Sequence, residues 1–94
     1  MLGDANANVD ALFDQAIALD PKFGEIYLER ARYYLSNNKP KDAILDLQKA
    51  NELLPESPEV YVTYANTYLA LNDKENALKA AEKAYSLDHE SFGL

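Results

Sequence analysis

The sequence predicts an all-α protein of about five helices, arranged as antiparallel helix-turn-helix units. Three observations predict it. Apolar residues recur at spacings of three and four in five segments, and no segment alternates with the period of two that a strand needs. Prolines and asparagines punctuate those segments where helices should start and stop. The chain also aligns with itself, without a gap, when shifted by 34 residues.

The first segment, Ala5 to Leu19, places Val9, Leu12, Phe13, Ala16, Ile17 and Leu19 on one stripe, with Asp10 and Asp14 on the exposed face. Asp20-Pro21 ends it, because a residue before proline is steered out of the helical region. A second helix runs from about Glu25 to Ser36, buried through Ile26, Tyr27, Ala31, Tyr34 and Leu35. Asn37-Asn38 stops it, since asparagine tolerates the left-handed backbone of a tight turn. Pro40 opens a third helix at a position where its missing N–H costs nothing. That helix reaches about Leu54 on Ala43, Ile44, Leu47, Ala50 and Leu53, and Pro55 closes it.

Ser57-Pro58-Glu59 reads as the start of a fourth helix: a serine cap, a first-turn proline and an acid at the positive end of the dipole. It continues to about Leu71 on Val60, Tyr61, Tyr64, Ala65, Tyr68 and Leu69. Asn72-Asp73 repeats the turn, with Asp73 placed to cap a fifth helix on Ala77, Leu78, Ala81, Ala84 and Tyr85 to about Leu87. Glu75 and Lys79 are spaced for a modest i,i+4 pair.

At 94 residues the chain is one small domain at most. Sixteen acidic residues against nine basic ones give a net charge of −7, which repels a polyanion such as DNA or RNA and favours basic partners. Without cysteine, disulfides and thiolate metal sites are excluded. No apolar run approaches the roughly 18 residues a membrane span needs. The opening Gly-Asp-Ala-Asn-Ala-Asn has no signal-peptide start, so the compartment cannot be read and the cytoplasm is only the default.

Under the 34-residue shift Tyr27 falls on Tyr61, Ala31 on Ala65, Tyr34 on Tyr68, Leu35 on Leu69 and Asn38 on Asn72. Ala43 falls on Ala77 and Ala50 on Ala84; further back, Phe13 meets Leu47, Ala16 meets Ala50, Leu19 meets Leu53 and Pro21 meets Pro55. This period, with an aromatic, then a small residue four later, then an aromatic three beyond, resembles the tetratricopeptide repeat family. Small residues seven apart in the second helix and a closing proline complete the resemblance. It implies helix-turn-helix repeats stacked as a right-handed α-solenoid, with a half repeat at 4–23 and full repeats at 24–57 and 58–91. Gly3-Asp4 falls on the inter-helix turn, and Ser91-Phe92-Gly93-Leu94 falls where a fourth unit would begin. Phe13, Leu71, Tyr85 and Phe92 would then face neighbours that the sequence lacks, so the chain reads as a piece of a longer array or one that self-associates.

Three positions depart from the repeat. Arg30 stands where the later copy has Tyr64, and its head is expected to reach Asp10 or Asp14. Lys39 replaces the capping Asp73, which predicts a weaker helix start. His89 replaces the closing proline, which predicts a less abrupt exit.

Catalytic groupings are not apparent. A single histidine and no cysteine leave out the usual metal and Cys/His arrangements, so no cofactor or metal is expected. Glu25 with Glu29, and Glu75 with Glu82, read as solvated helix faces rather than acid–base pairs. Isolated glycines do not make a phosphate loop. The seven tyrosines sit mostly at core spacing.

The remaining candidate is a surface. The resemblance implies a concave groove lined by the first helix of each unit, which holds an extended or helical peptide of a protein partner. Carried onto this chain, it would be lined by Glu25, Leu28, Glu29, Arg32 and Ser36, then by Glu59, Val62, Thr63, Asn66 and Ala70. Family members that grip an acidic chaperone tail use lysine, arginine and asparagine there. Here only Arg32 and Asn66 fit, and Glu25, Glu29 and Glu59 would repel a carboxylate. An acidic rim around Leu28 and Val62 suits basic and apolar side chains instead. Two other readings are self-assembly through uncapped terminal helices and a regulatory segment of an enzyme whose catalytic domain lies elsewhere.

Overall fold

The computed structural model describes residues 5–91. They form α1 (Ala5–Leu19), α2 (Gly24–Ser36), α3 (Pro40–Leu53), α4 (Pro58–Ala70) and α5 (Lys74–Ser91), with no strand among the described residues. α2 pairs with α3 and α4 with α5, while α4 also lies across α2 and α3. Among the described residues α1 packs on α2 alone. The molecule measures 52 × 31 × 18 Å, and its radius of gyration of 14.4 Å exceeds the ~12 Å of a compact chain this size. It is an elongated stack.

The turns form as the sequence requires. Asn38 and Asn72 have φ of 62° and 61°, and each is followed by an N–H that closes back on the preceding helix at 2.8 Å: Lys39 to the Tyr34 carbonyl and Asp73 to the Tyr68 carbonyl. Asp73 accepts the Asn76 N–H at 3.1 Å and so caps α5. Lys39 makes no such cap for α3. Ser57 differs from expectation: its hydroxyl donates to the Glu59 carboxylate at 2.9 Å and caps no N–H of α4. Without a closing proline, α5 runs on through His89 to Ser91.

The core is continuous across α2, α3 and α4. Ala31, Ala43, Leu47, Ala50 and Val60 are fully buried, with Tyr27 and Leu28 nearly so. The alanines let the backbones approach, and the Tyr27 hydroxyl spans back to the Pro21 carbonyl at 3.0 Å. Gly24 is needed for a similar reason: a Cβ there would lie 2.7 Å from Leu54 Cγ.

Several sequence expectations are corrected. Leu12, Leu19, Leu69 and Leu78 are more than half exposed, and Ala81 is exposed, because no described element lies over those faces. Phe13 does have a neighbour, Tyr33, whose ring lies tilted against it with centroids 5.6 Å apart. Phe92 lies outside the described residues. Glu75 and Lys79 do not close; the short helical pairs are Glu29–Arg32 at 2.6 Å and Lys49–Glu52 at 3.6 Å.

Arg30 also finds a different main partner. Its guanidinium donates two bonds to Asp46 on α3, from Nε at 2.8 Å and Nη2 at 2.7 Å. Only a longer contact of 3.4 Å reaches Asp14. The Asp46 side chain is 7% exposed, so this is a bidentate pair set into the α2–α3 seam.

Candidate functional site, a two-part surface on α2, α4 and α5

α2 and α4 are the helices that present the expected groove residues. Glu25, Glu29 and Arg32 project from α2, and Leu28 floors a hollow of about 460 Å³ between them, closed by Leu54, Ser57 and Glu59. A second hollow of about 630 Å³ lies between α4 and α5. From α4 it takes Glu59, Val62, Ala65, Asn66 and Leu69; from α5, Ala81, Ala84, Tyr85 and Asp88. Arg32 and Glu59 line both hollows, so the two meet there.

Seven of the ten sequence-chosen residues are thus brought together: Glu25, Leu28, Glu29, Arg32, Glu59, Val62 and Asn66. Three are not. Thr63 is buried, its hydroxyl donating to the Glu59 carbonyl at 2.8 Å, while Ser36 and Ala70 are exposed but line neither hollow. Leu69, Ala81 and Asp88 were not predicted for this surface. Leu69 and Ala81 carry the apolar spacing of core positions, and only the arrangement of helices reveals that this part of the seam is open.

The electrostatics are acidic. Arg32 is already bonded to Glu29 at 2.6 Å. Glu59 is held below the usual carboxylate range, first by the Ser57 hydroxyl, then by a backbone amide and the charge of Arg32. Glu59 therefore keeps its charge at neutral pH.

A third, smaller hollow of about 280 Å³ is lined by Tyr61, Tyr64 and Tyr68 with Lys79 and Lys83. Tyr64 and Tyr68 stack at 5.9 Å, and burial, with Tyr68 and Tyr61 beside it, pushes the Tyr64 phenol up to about 12. No cluster of three or more potential metal ligands occurs among the described residues, and none of their helices is long and apolar enough to cross a membrane.

Repeat geometry and sequence period agree with family-level comparison. Residues 34–89 match one model described as tetratricopeptide repeat, and residues 12–44 match a second of the same description. The chain belongs to the tetratricopeptide repeat family. Neither curated proteins nor solved structures gave a match. Tetratricopeptide repeats generally serve as protein–protein interaction modules rather than enzymes.

Proposed function

We propose that the chain binds a peptide or helix of a protein partner across the surface of α2 and α4, with residues 24–57 and 58–91 as its two full units. The partner supplies basic and apolar side chains. The observation that carries this is the set of three carboxylates, Glu25, Glu29 and Glu59, around an apolar floor that includes Leu28 and Val62. The one cation in that set, Arg32, is engaged by Glu29. An acidic chaperone tail is the wrong ligand for such a rim.

The test compares partners recovered by the wild type and by the Glu25→Lys, Glu29→Lys, Glu59→Lys triple variant. All three side chains are exposed, so circular dichroism should be unchanged. Loss of a basic partner supports the assignment; an unchanged partner set with an unchanged spectrum removes it.

A second reading is self-assembly, favoured by the exposure of Leu12 (63%) and Leu19 (88%) on α1. Light scattering over a dilution series separates the two, since a strict monomer at high concentration leaves only the first.

A further inference from the structure

The hollow between α4 and α5 has a counterpart one repeat earlier, and there it is filled. Moved back by 34 residues, Val62, Ala65, Leu69, Ala81 and Ala84 fall on Leu28, Ala31, Leu35, Leu47 and Ala50. Leu28, Ala31, Leu47 and Ala50 belong to the core that α4 joins through a fully buried Val60, and Leu35 packs against that core. In the α4–α5 hollow three of the same positions lie open, Val62 at 49% exposed, Leu69 at 55% and Ala81, while Ala65 is half-buried and Ala84 forms the buried floor. The filled counterpart therefore displays the kind of helix face that the open hollow accepts. On α4, Val60, Thr63 and Thr67, spaced three and four apart, are each almost wholly buried, and Val60 joins the α2–α3 core. Both threonine hydroxyls donate to carbonyls of their own helix, at 2.8 and 2.7 Å, which leaves methyl groups as the contact surface.

We propose that the α4–α5 hollow seats one amphipathic helix of a partner protein, with a small or β-branched seam at this spacing and basic residues beside it. This rests on the interaction reading above and narrows the ligand at its α4–α5 end from a peptide to a helix. The basic flank follows from charge: Glu59 and Asp88 both line the seat, while Arg32 is held by Glu29. Asp88 stands at the position of Leu54 in the earlier unit, where the Ser57 N–H meets the Leu54 carbonyl at 3.2 Å as the chain turns into α4. At the same point α5 continues to Ser91, so within the described residues the chain does not turn back into this seat as it does after Leu53.

The test uses a labelled, helix-stapled peptide of residues 57–71 carrying Glu59→Lys, titrated with the 94-residue chain. A scrambled stapled peptide is the control. The chain should bind the peptide saturably, and Leu69→Lys with Tyr85→Lys should weaken binding about tenfold or more, since both side chains are exposed in the free chain and buried by the occupant. Circular dichroism of that double variant checks that it folds. Binding no better than the scrambled peptide, or binding indifferent to the two lysines, overturns the seat. So does a chain that dimerises alone and becomes monomeric with Leu69→Lys, because a second copy is then the occupant. An unstapled lysine- and leucine-rich peptide separates the two levels. If it binds, and the Glu25, Glu29, Glu59 triple variant abolishes that binding while the stapled helix fails, the interaction surface stands and the helix seat falls.

Discussion

Arg30 stands where the next repeat has Tyr64, and Asp46 stands where it has Ala80. The two departures are one event: a charged pair in the α2–α3 seam exchanged for an aromatic beside an alanine. Asp46→Ala strands the guanidinium and should cost about 2–3 kcal/mol, below the fully buried range because Arg30 keeps some exposure. Arg30→Tyr with Asp46→Ala copies the neighbouring repeat and should recover most of that loss in denaturant unfolding. The sequence announced the anomaly at Arg30 but not its partner, because the partner depends on how α3 packs. Comparing both departures under the 34-residue shift would have found it. Tyr64 carries a pH signature as well. Its phenol is raised to about 12, so the folded state favours the neutral form, and that stability is full below ~10 and falls as pH rises toward 12. Absorbance titration should show a tyrosine step near pH 12 that Tyr64→Phe removes.

Helices α3 and α5 occupy matching places in the repeat but begin differently, one on uncapped Lys39 and the other on Asp73. Lys39→Asp should therefore stabilise the chain by about 1 kcal/mol, read as a higher melting temperature. Asp73 is held below the usual carboxylate range, first by the Asn76 side chain and then by the Asn76 N–H. Its contribution is therefore present above that range and lost as pH falls through the folded-state value. Asp73→Ala should lower the melting temperature at pH 7 and shrink the loss on acidification. Gly24→Ala forces a contact with Leu54 and should cost about 1–3 kcal/mol. Helix existence, the paired asparagine turns and the Asp73 cap were legible because they rest on local rules. The Ser57 side chain was not, since its hydroxyl had two acceptable uses and chose Glu59.

The whole molecule is a short stack in which each helix depends on its immediate neighbours. Among the described residues α1 touches α2 only, so its amides should exchange with solvent faster than those of α3 and α4. The repeat made the five-helix architecture readable, and seven of the ten residues chosen from it line the two hollows. What it did not give was the openness of the α4–α5 seam. Leu69 and Ala81 look like core by spacing, and only the absence of a described helix over them makes them surface. Amide chemical-shift mapping with the stapled, lysine-bearing helix of residues 57–71 tests the central claim most directly. Shifts should concentrate on Glu59, Val62, Asn66, Leu69 and Ala84 and weaken as salt rises. Shifts confined instead to Tyr61, Tyr64 and Tyr68, or scattered without saturation, would contradict it.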